Sequence, residues 1–271
     1  ILWVYNPCGC KSHPRHQYMV PSIKNHINQN FFKTWSSNMA YVLGYFVADG
    51  CISISRGRPK NPYTFNITSK DLDHLEKICK VLDSNYKISK KSGNSKNICH
   101  QIQVRNSVLS LDLMKLGIYP RKTYRLDPIK IPTKYFADFT RGFFDGDGSV
   151  YIYNVNNLLQ IKSSFVSVSL NFIKFFNGQL CEALNIPEKS IHKTANRKGF
   201  MVQYSNCFYI DDSIKLAKFM YGNNPSLYLG RKKEIFEQWS TIKNTTRKKG
   251  FTKRNYPSKV GWRLSEGVKI G

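Results

Sequence analysis

Two aspartates, Asp49 and Asp147, stand near the end of the same nine-residue pattern, Val-Leu-Gly-Tyr-Phe-Val-Ala-Asp-Gly over Val42 to Gly50 and Thr-Arg-Gly-Phe-Phe-Asp-Gly-Asp-Gly over Thr140 to Gly148. Superposing the copies sets Gly44 on Gly142, Ala48 on Gly146 and Gly50 on Gly148, so small residues recur four positions apart in each. Glycine inside a helix costs about 1 kcal/mol relative to alanine, so two such helices need a reason to carry it. Close approach of one helix to the other supplies that reason, because small residues at this spacing leave a groove that a second helix enters. Helices packed so would end side by side, bringing Asp49 and Asp147 together where like charges need a shared proton or a cation.

Three chemistries suit such a pair. Helix capping fits poorly, because capping acids prefer N-termini and these lie at C-terminal ends, against the helix dipole. General acid and base work on a glycoside fits poorly with so basic a chain. Hard divalent cations fit best: oxygen ligands suit magnesium, and two ions a few ångström apart stabilise both the attacking and the leaving oxygen of a phosphodiester.

The elements around the acids repeat as well. The cap signal Ser36-Ser37-Asn38 precedes a helix expected over Met39 to Ala48. The period then switches to two: Cys51 to Ser55 and Tyr63 to Thr68 predict a hairpin, Asp71 to Leu82 an amphipathic helix, Tyr86 to Lys91 and Ile98 to Arg105 a second hairpin, and Ser107 to Leu116 a closing helix. The second copy follows with strands Ser149 to Tyr153 and Leu158 to Ser164, helix Val168 to Leu184, and strands Ile191 to Thr194 and Phe200 to Tyr204. Gln103-Val104-Arg105-Asn106 matches Gln203-Tyr204-Ser205-Asn206 in lettering, and Thr64 and Asn66 are set against Gln160 and Lys162. The expected fold class is α+β: two pseudo-symmetric αββαββα halves joined through the two motif helices, their antiparallel sheets forming a saddle. The expected units are an N-terminal extension over 1–33, a first half over 34–125, a proline-bearing linker over 126–134, a second half over 135–243 and a basic, extended tail over 244–271.

The repeated motif, each copy followed by an alternating strand and a basic stretch, resembles the LAGLIDADG family of homing endonucleases in its single-chain, two-motif form, over roughly residues 36 to 243. Tyr45 and Phe46 are bulkier than the family name, and Val47 stands where the second copy has Asp145, which therefore reads as a helix-end hydrogen-bonding residue. The resemblance implies a site-specific double-strand DNA endonuclease, intron-encoded in type. Its metal ligands would be Asp49 and Asp147 with the carbonyls of Ala48 and Gly146. Two or three Mg2+ ions are implied, with Mn2+ or Ca2+ substituting in binding. The family's accessory basic residues precede a long helix in each half, which assigns Lys122 and Lys232, with Lys233 a near rival, to polarising water or steadying phosphorane charge. A non-cleaving DNA-binding regulator or an RNA maturase on the same fold is the alternative.

Composition agrees with a polyanion partner: 42 basic residues against 17 acidic give a net charge of +25. The polar strand faces and their loops supply the expected DNA contacts. In the first half these are Ser53, Ser55, Arg56, Arg58, Lys60, Thr64, Asn66, Thr68, Lys87, Ser89, Lys91, Gln101, Gln103 and Arg105. In the second they are Tyr151, Tyr153, Gln160, Lys162, Lys193, Arg197, Lys198 and Gln203. A saddle of two such sheets would span roughly 20 base pairs of duplex as a monomer, without a protein partner. No apolar run reaches membrane-spanning length and no signal-peptide pattern opens the chain, so a soluble intracellular protein is expected, in bacterial cytoplasm or an organelle. Seven scattered cysteines suit reduced thiols. Cys8, Cys10, His13 and His16 are spaced more tightly than common zinc sites, and a basic arm along DNA is the expectation there. A start at Ile1 reads as a trimmed chain, and Ile1 and Gly271 offer neither the nucleophile nor the His-Asn ending of self-splicing.

Overall fold

The computed structural model describes residues 25–57, 59–91, 98–122, 126–156, 158–195 and 202–248, with backbone alone for 243–248. The first half runs α1 (Ser37–Asp49), β1 (Gly50–Ile54), β2 (Tyr63–Ser69), α2 (Leu72–Val81), β3 (Ser89–Lys91), β4 (Cys99–Arg105) and α3 (Ser107–Lys115). The second repeats the order as α4 (Thr133–Asp147), β5 (Ser149–Val155), β6 (Leu158–Ser167), α5 (Leu170–Leu184), β7 (His192–Ala195), β8 (Val202–Tyr209) and α6 (Ile210–Tyr221), followed by α7 (Gly230–Lys248). Each half holds one antiparallel four-stranded sheet, ordered β1-β2-β4-β3 and β5-β6-β8-β7. The α+β architecture is thus the one the sequence predicts. Among the described residues, no helix is long and apolar enough to cross a membrane.

Local chemistry sets the boundaries. The Ser36 hydroxyl accepts from the Met39 amide at 3.1 Å and starts α1 one turn ahead of its apolar run. Asn106 and Ser169 cap α3 and α5 in the same way. The chain leaves α1 and α4 directly into β1 and β5 through extended Gly50 and Gly148, so each motif acid sits at a helix-to-strand corner. Alternation then puts Ile52, Phe65, Ile67, Ile102 and Val104 of the first sheet, and Val150, Ile161, Phe165 and Phe208 of the second, into the core. The second core is built largely of phenylalanine: the Phe143 ring meets Phe165, Phe172 and Phe176 at 5.1 to 5.5 Å between centroids.

The two halves meet on α1 and α4. A Cβ on Gly44 would stand 2.1 Å from the Phe139 carbonyl oxygen, and one on Gly142 would stand 2.0 Å from that of Tyr41. Each glycine therefore admits the backbone of the other helix, and the pairing is reciprocal, as a duplicated motif packed on its copy requires.

Register corrects two sequence alignments. Gly50 pairs with Ile67, which pairs with Ile102, while Ser149 pairs with Ser164 and Phe165 with Asn206. Setting Gly50 on Gly148 therefore puts Ile102 on Asn206, so Gln103 corresponds to Cys207 and not to Gln203. By the same register Thr64 corresponds to Lys162 and Asn66 to Ser164, not to Gln160 and Lys162. The lettering misled because the strands of the second half run past the points where those of the first stop. Helix α7 likewise continues through 243–248, where the sequence suggested an extended tail from 244, because nothing in Asn244 to Lys248 breaks a helix.

Gly44→Ala or Gly142→Ala is expected to destabilise the protein by at least the 1–3 kcal/mol typical of overpacking, because the obstructing atoms are backbone. Gly178→Ala, inside α5 with nothing within 4 Å of the added methyl, should instead gain about 0.5–1 kcal/mol. Urea unfolding of the three variants checks the opposite signs.

Candidate active site and nucleic-acid interface

The floor of the saddle is the paired end of α1 and α4. The Asp49 carboxylate lies 3.5 Å from the position of a Cβ on Gly146, one residue before Asp147. Both acids lie at C-terminal helix ends, Asp49 half-buried and Asp147 exposed. Burial raises Asp49 above the usual carboxylate range, opposed by a hydrogen bond from Tyr45 and the charges of Lys232 and Lys122. Burial and the neighbouring Asp49 charge push Asp147 up to about 6, although its side chain opens to solvent on one side.

One lysine from each half closes this floor. Lys122 follows Arg121, which adopts a left-handed backbone, and its ammonium donates to the carbonyls of Val47 and, at 3.1 Å, Ala48 at the end of α1. Lys232, in the first turn of α7 and 5% exposed, donates to Phe144, Asp145, Gly146 and Gly148 carbonyls at 2.6 to 3.2 Å. The last carbonyls of a helix have no partner within it, and a cation there also meets the negative end of the dipole. Burial lowers both lysines, Lys232 to about 8, while Asp145, Asp49 and Asp147 hold it up. Lys233 turns away: its ammonium pairs with Glu237 at 3.2 Å over the Tyr228 ring. The geometry therefore distinguishes Lys232 from its neighbour, which spacing did not.

The donor set suits a hard divalent ion. Asp49 and Asp147, the first raising the proton affinity of the second, stand beside the Ala48 and Gly146 carbonyls and offer oxygen alone. Among the described residues no group of three or more His, Cys, Asp or Glu comes together, so water and phosphate would complete the shell, as magnesium favours.

Several residues that position this floor escaped the sequence reading. Tyr45 donates its hydroxyl to Ser69 at 3.0 Å and lies beside Asp49. Tyr41 donates to Asp145 and meets His74 at 3.0 Å, and Asp145 also accepts from the Leu229 amide at 2.8 Å, fixing the start of α7 one turn before Lys232. Asp145 is thus a hydrogen-bonding residue 1% exposed, as expected, and burial pushes it up to about 6. Arg141, 3% exposed, donates to the Leu227 and Met220 carbonyls and to Asp138. Between the halves, Arg231 grips Asp71 with two nitrogens at 3.0 to 3.3 Å. The available signal was a hydroxyl or charge inside an apolar helix: Tyr41, Tyr45 and Arg141 all flank the packing glycines.

Directly paired residues share a sheet face, which sorts the expected DNA contacts. The open face of the first sheet presents the rows Ser53–Thr64–Arg105, Cys51–Asn66–Gln103 and Thr68–Gln101–Ser89, with Lys91 beside Cys99. The second presents Tyr153–Gln160, Tyr151–Lys162–Tyr209 and Gln203–Thr194. Arg56, Lys60 and Lys87 are exposed and Ser55 is half-buried outside the strands. Three candidates are not free to read bases. Thr64 and Asn66 are each 6% exposed, and the Asn66 amide is occupied by Ser53 at 3.0 Å and Gln101 at 3.2 Å, so it orients those two. Lys193 pairs with Tyr204 and so lies on the helix-bearing face, because β7 runs one residue out of the expected phase. Arg58, Arg197, Lys198 and the Cys8, Cys10, His13 and His16 cluster lie outside the described residues.

The raised carboxyl gives a stability prediction. A native Asp147 that holds its proton up to about 6 binds more protons than the unfolded chain between roughly pH 4 and 6, so its contribution falls as pH rises through that window. Asp147→Asn should therefore melt higher than the parent at pH 7 to 8 without divalent ions, and the difference should shrink at pH 4. Thermal unfolding across pH tests this.

Comparison with known proteins bears on the fold. Residues 36–112 match the LAGLIDADG-like domain. The LAGLIDADG meganuclease I-AabMI, solved bound to uncleaved DNA, superposes with a TM-score of 0.51 at 14% identity, covering 77% of this chain and 91% of that one. A variant of I-SmaMI superposes with a TM-score of 0.50 at 15% identity, covering 79% and 93%. A DNA polymerase of Acanthamoeba polyphaga mimivirus is 27% identical over 128 residues, 45% of this chain, and the match spans 7% of that protein's length. Residues 36–112 thus match a LAGLIDADG-like domain, and both halves together share the fold of the LAGLIDADG meganuclease they superpose on.

Proposed function

We propose that the chain is a monomeric, magnesium-dependent endonuclease that hydrolyses both strands of duplex DNA at one long, asymmetric target. One observation carries this reading: an acid and a lysine from each half meet at the end of the α1–α4 contact, where each helix passes into the first strand of its sheet. Asp49 and Asp147, with the Ala48 and Gly146 carbonyls, would hold the divalent ions. When bound, such ions neutralise phosphate charge and acidify water. The protein's own part is to aim the two carboxylates, one toward each strand, and to keep two ammonium groups within reach of the phosphates. The nearby Tyr45 hydroxyl opposes part of the rise that burial imposes on Asp49. The open faces, with Arg105, Gln103, Lys91, Lys162 and the exposed tyrosines, would lie in successive major grooves of roughly 20 base pairs, while the basic turns at Arg56 and Lys60 meet phosphates. The net charge of +25 supports a nucleic-acid partner. One duplicated chain supplies what a single-motif protein would obtain by dimerising. A regulator or maturase would share the binding surface and differ only in leaving the strands uncut.

Asp49→Asn and Asp147→Asn should each abolish double-strand cleavage in magnesium while binding of the selected duplex stays within a few-fold. Full cutting by either variant would overturn the assignment. Affinity should also fall by orders of magnitude between about 50 and 200 mM salt, as release of condensed counterions from several phosphates demands. Titrations at four salt concentrations measure the slope.

A further inference from the structure

Beyond cleavage itself, the open faces of the two sheets differ in a way that sets what each half-site contains. We infer that the second sheet recognises thymine through the row Tyr151–Lys162–Tyr209, a specificity that rests on the endonuclease reading above.

The row crosses β5, β6 and β8 on the open face. Tyr151 is 44% and Tyr209 48% exposed, so two large rings stand in water on this face. The Lys162 ammonium lies 5.4 Å from the Tyr209 ring centre, and the Tyr151 ring packs at 5.6 Å against Tyr153. Tyr153 is itself held in place, donating to Gln160 Oε1 at 2.9 Å. The row therefore offers a donor-only cation between two apolar surfaces. The corresponding row of the first sheet is Ser53–Thr64–Arg105, which has no ring.

Among major-groove edges, cytosine presents an amino donor that a lysine opposes, and adenine sets its N7 acceptor beside an amino donor with no apolar group. Guanine presents two acceptors and no apolar group. Thymine alone sets an acceptor, O4, beside a methyl group, matching a cation flanked by rings. Desolvating the exposed tyrosine surface against that methyl gives the contact its gain, about the free energy of burying one carbon group.

Deoxyuridine removes the methyl and leaves the pairing edge intact, so it isolates the contact. In a duplex selected from a randomised library, each thymine is replaced singly by deoxyuridine and binding is followed by fluorescence anisotropy. Replacement at one or two thymines confined to a single half-site should weaken binding roughly fourfold each. That penalty should vanish in Tyr151→Ser, which installs the residue found at Ser53, and persist in Tyr151→Phe. Tyr209→Ser, on the other flank of Lys162, gives an independent test should Tyr151→Ser melt early. Tolerance of deoxyuridine at every thymine, or a penalty unchanged in both serine variants, overturns the inference while leaving cleavage untouched. Failure to select or cut any duplex would instead overturn the endonuclease reading and this inference with it.

Discussion

The backbone contact of α1 with α4 at Gly44 and Gly142 is the constraint on which the rest depends. With a carbonyl oxygen about 2 Å from each would-be Cβ, the separation of the helices is fixed by main-chain atoms that do not yield. Everything catalytic in the proposal hangs on that separation. It determines how near Asp49 comes to Gly146 and Asp147, and how the sheets that continue from Gly50 and Gly148 are set about the centre. A wider helix pair would leave two acids too far apart to share a ligand.

Bringing two carboxylates to C-terminal helix ends works against both the helix dipole and their mutual repulsion. The structure offsets part of that cost locally. Lys122 and Lys232 satisfy carbonyls that have no partner in the helix and place positive charge beside the acids, at the expense of their own desolvation. The result is a site with displaced proton affinities on both sides, poised for a ligand that carries charge. Such displacement is common where function outweighs stability.

The pseudo-symmetry is imperfect in one consistent direction. Asp145 and Arg141 form polar contacts around the end of α4 and the start of α7, whereas the equivalent positions Val47 and Leu43 in α1 are apolar and buried. Lys232 accordingly meets four carbonyls and Lys122 two. Duplication supplied the frame, and divergence then fitted one lysine more tightly than the other and lined the two open sheet faces with different side chains.

The local features were legible because they depend on near neighbours in the chain. The repeat, the period switch after Gly50, the Ser36 cap and the small-residue spacing each follow from the steric and hydrogen-bonding needs of a few adjacent residues. The lysine pair was proposed from the family resemblance, at matched positions of the repeat. What the sequence left open depends on partners distant along the chain. Whether Lys232 or Lys233 points to α4 is decided by the phase of α7, which the Asp145 bond to Leu229 fixes across 84 residues. Whether Asn66 is a reader or a brace depends on Ser53 and Gln101 meeting it across two strand pairs. Strand correspondence between the halves was misjudged because residue lettering repeats by chance, while hydrogen-bonded register does not. A strand slipped by one residue exchanges its faces, so only the tertiary pairing could decide which side chains of this saddle face a ligand.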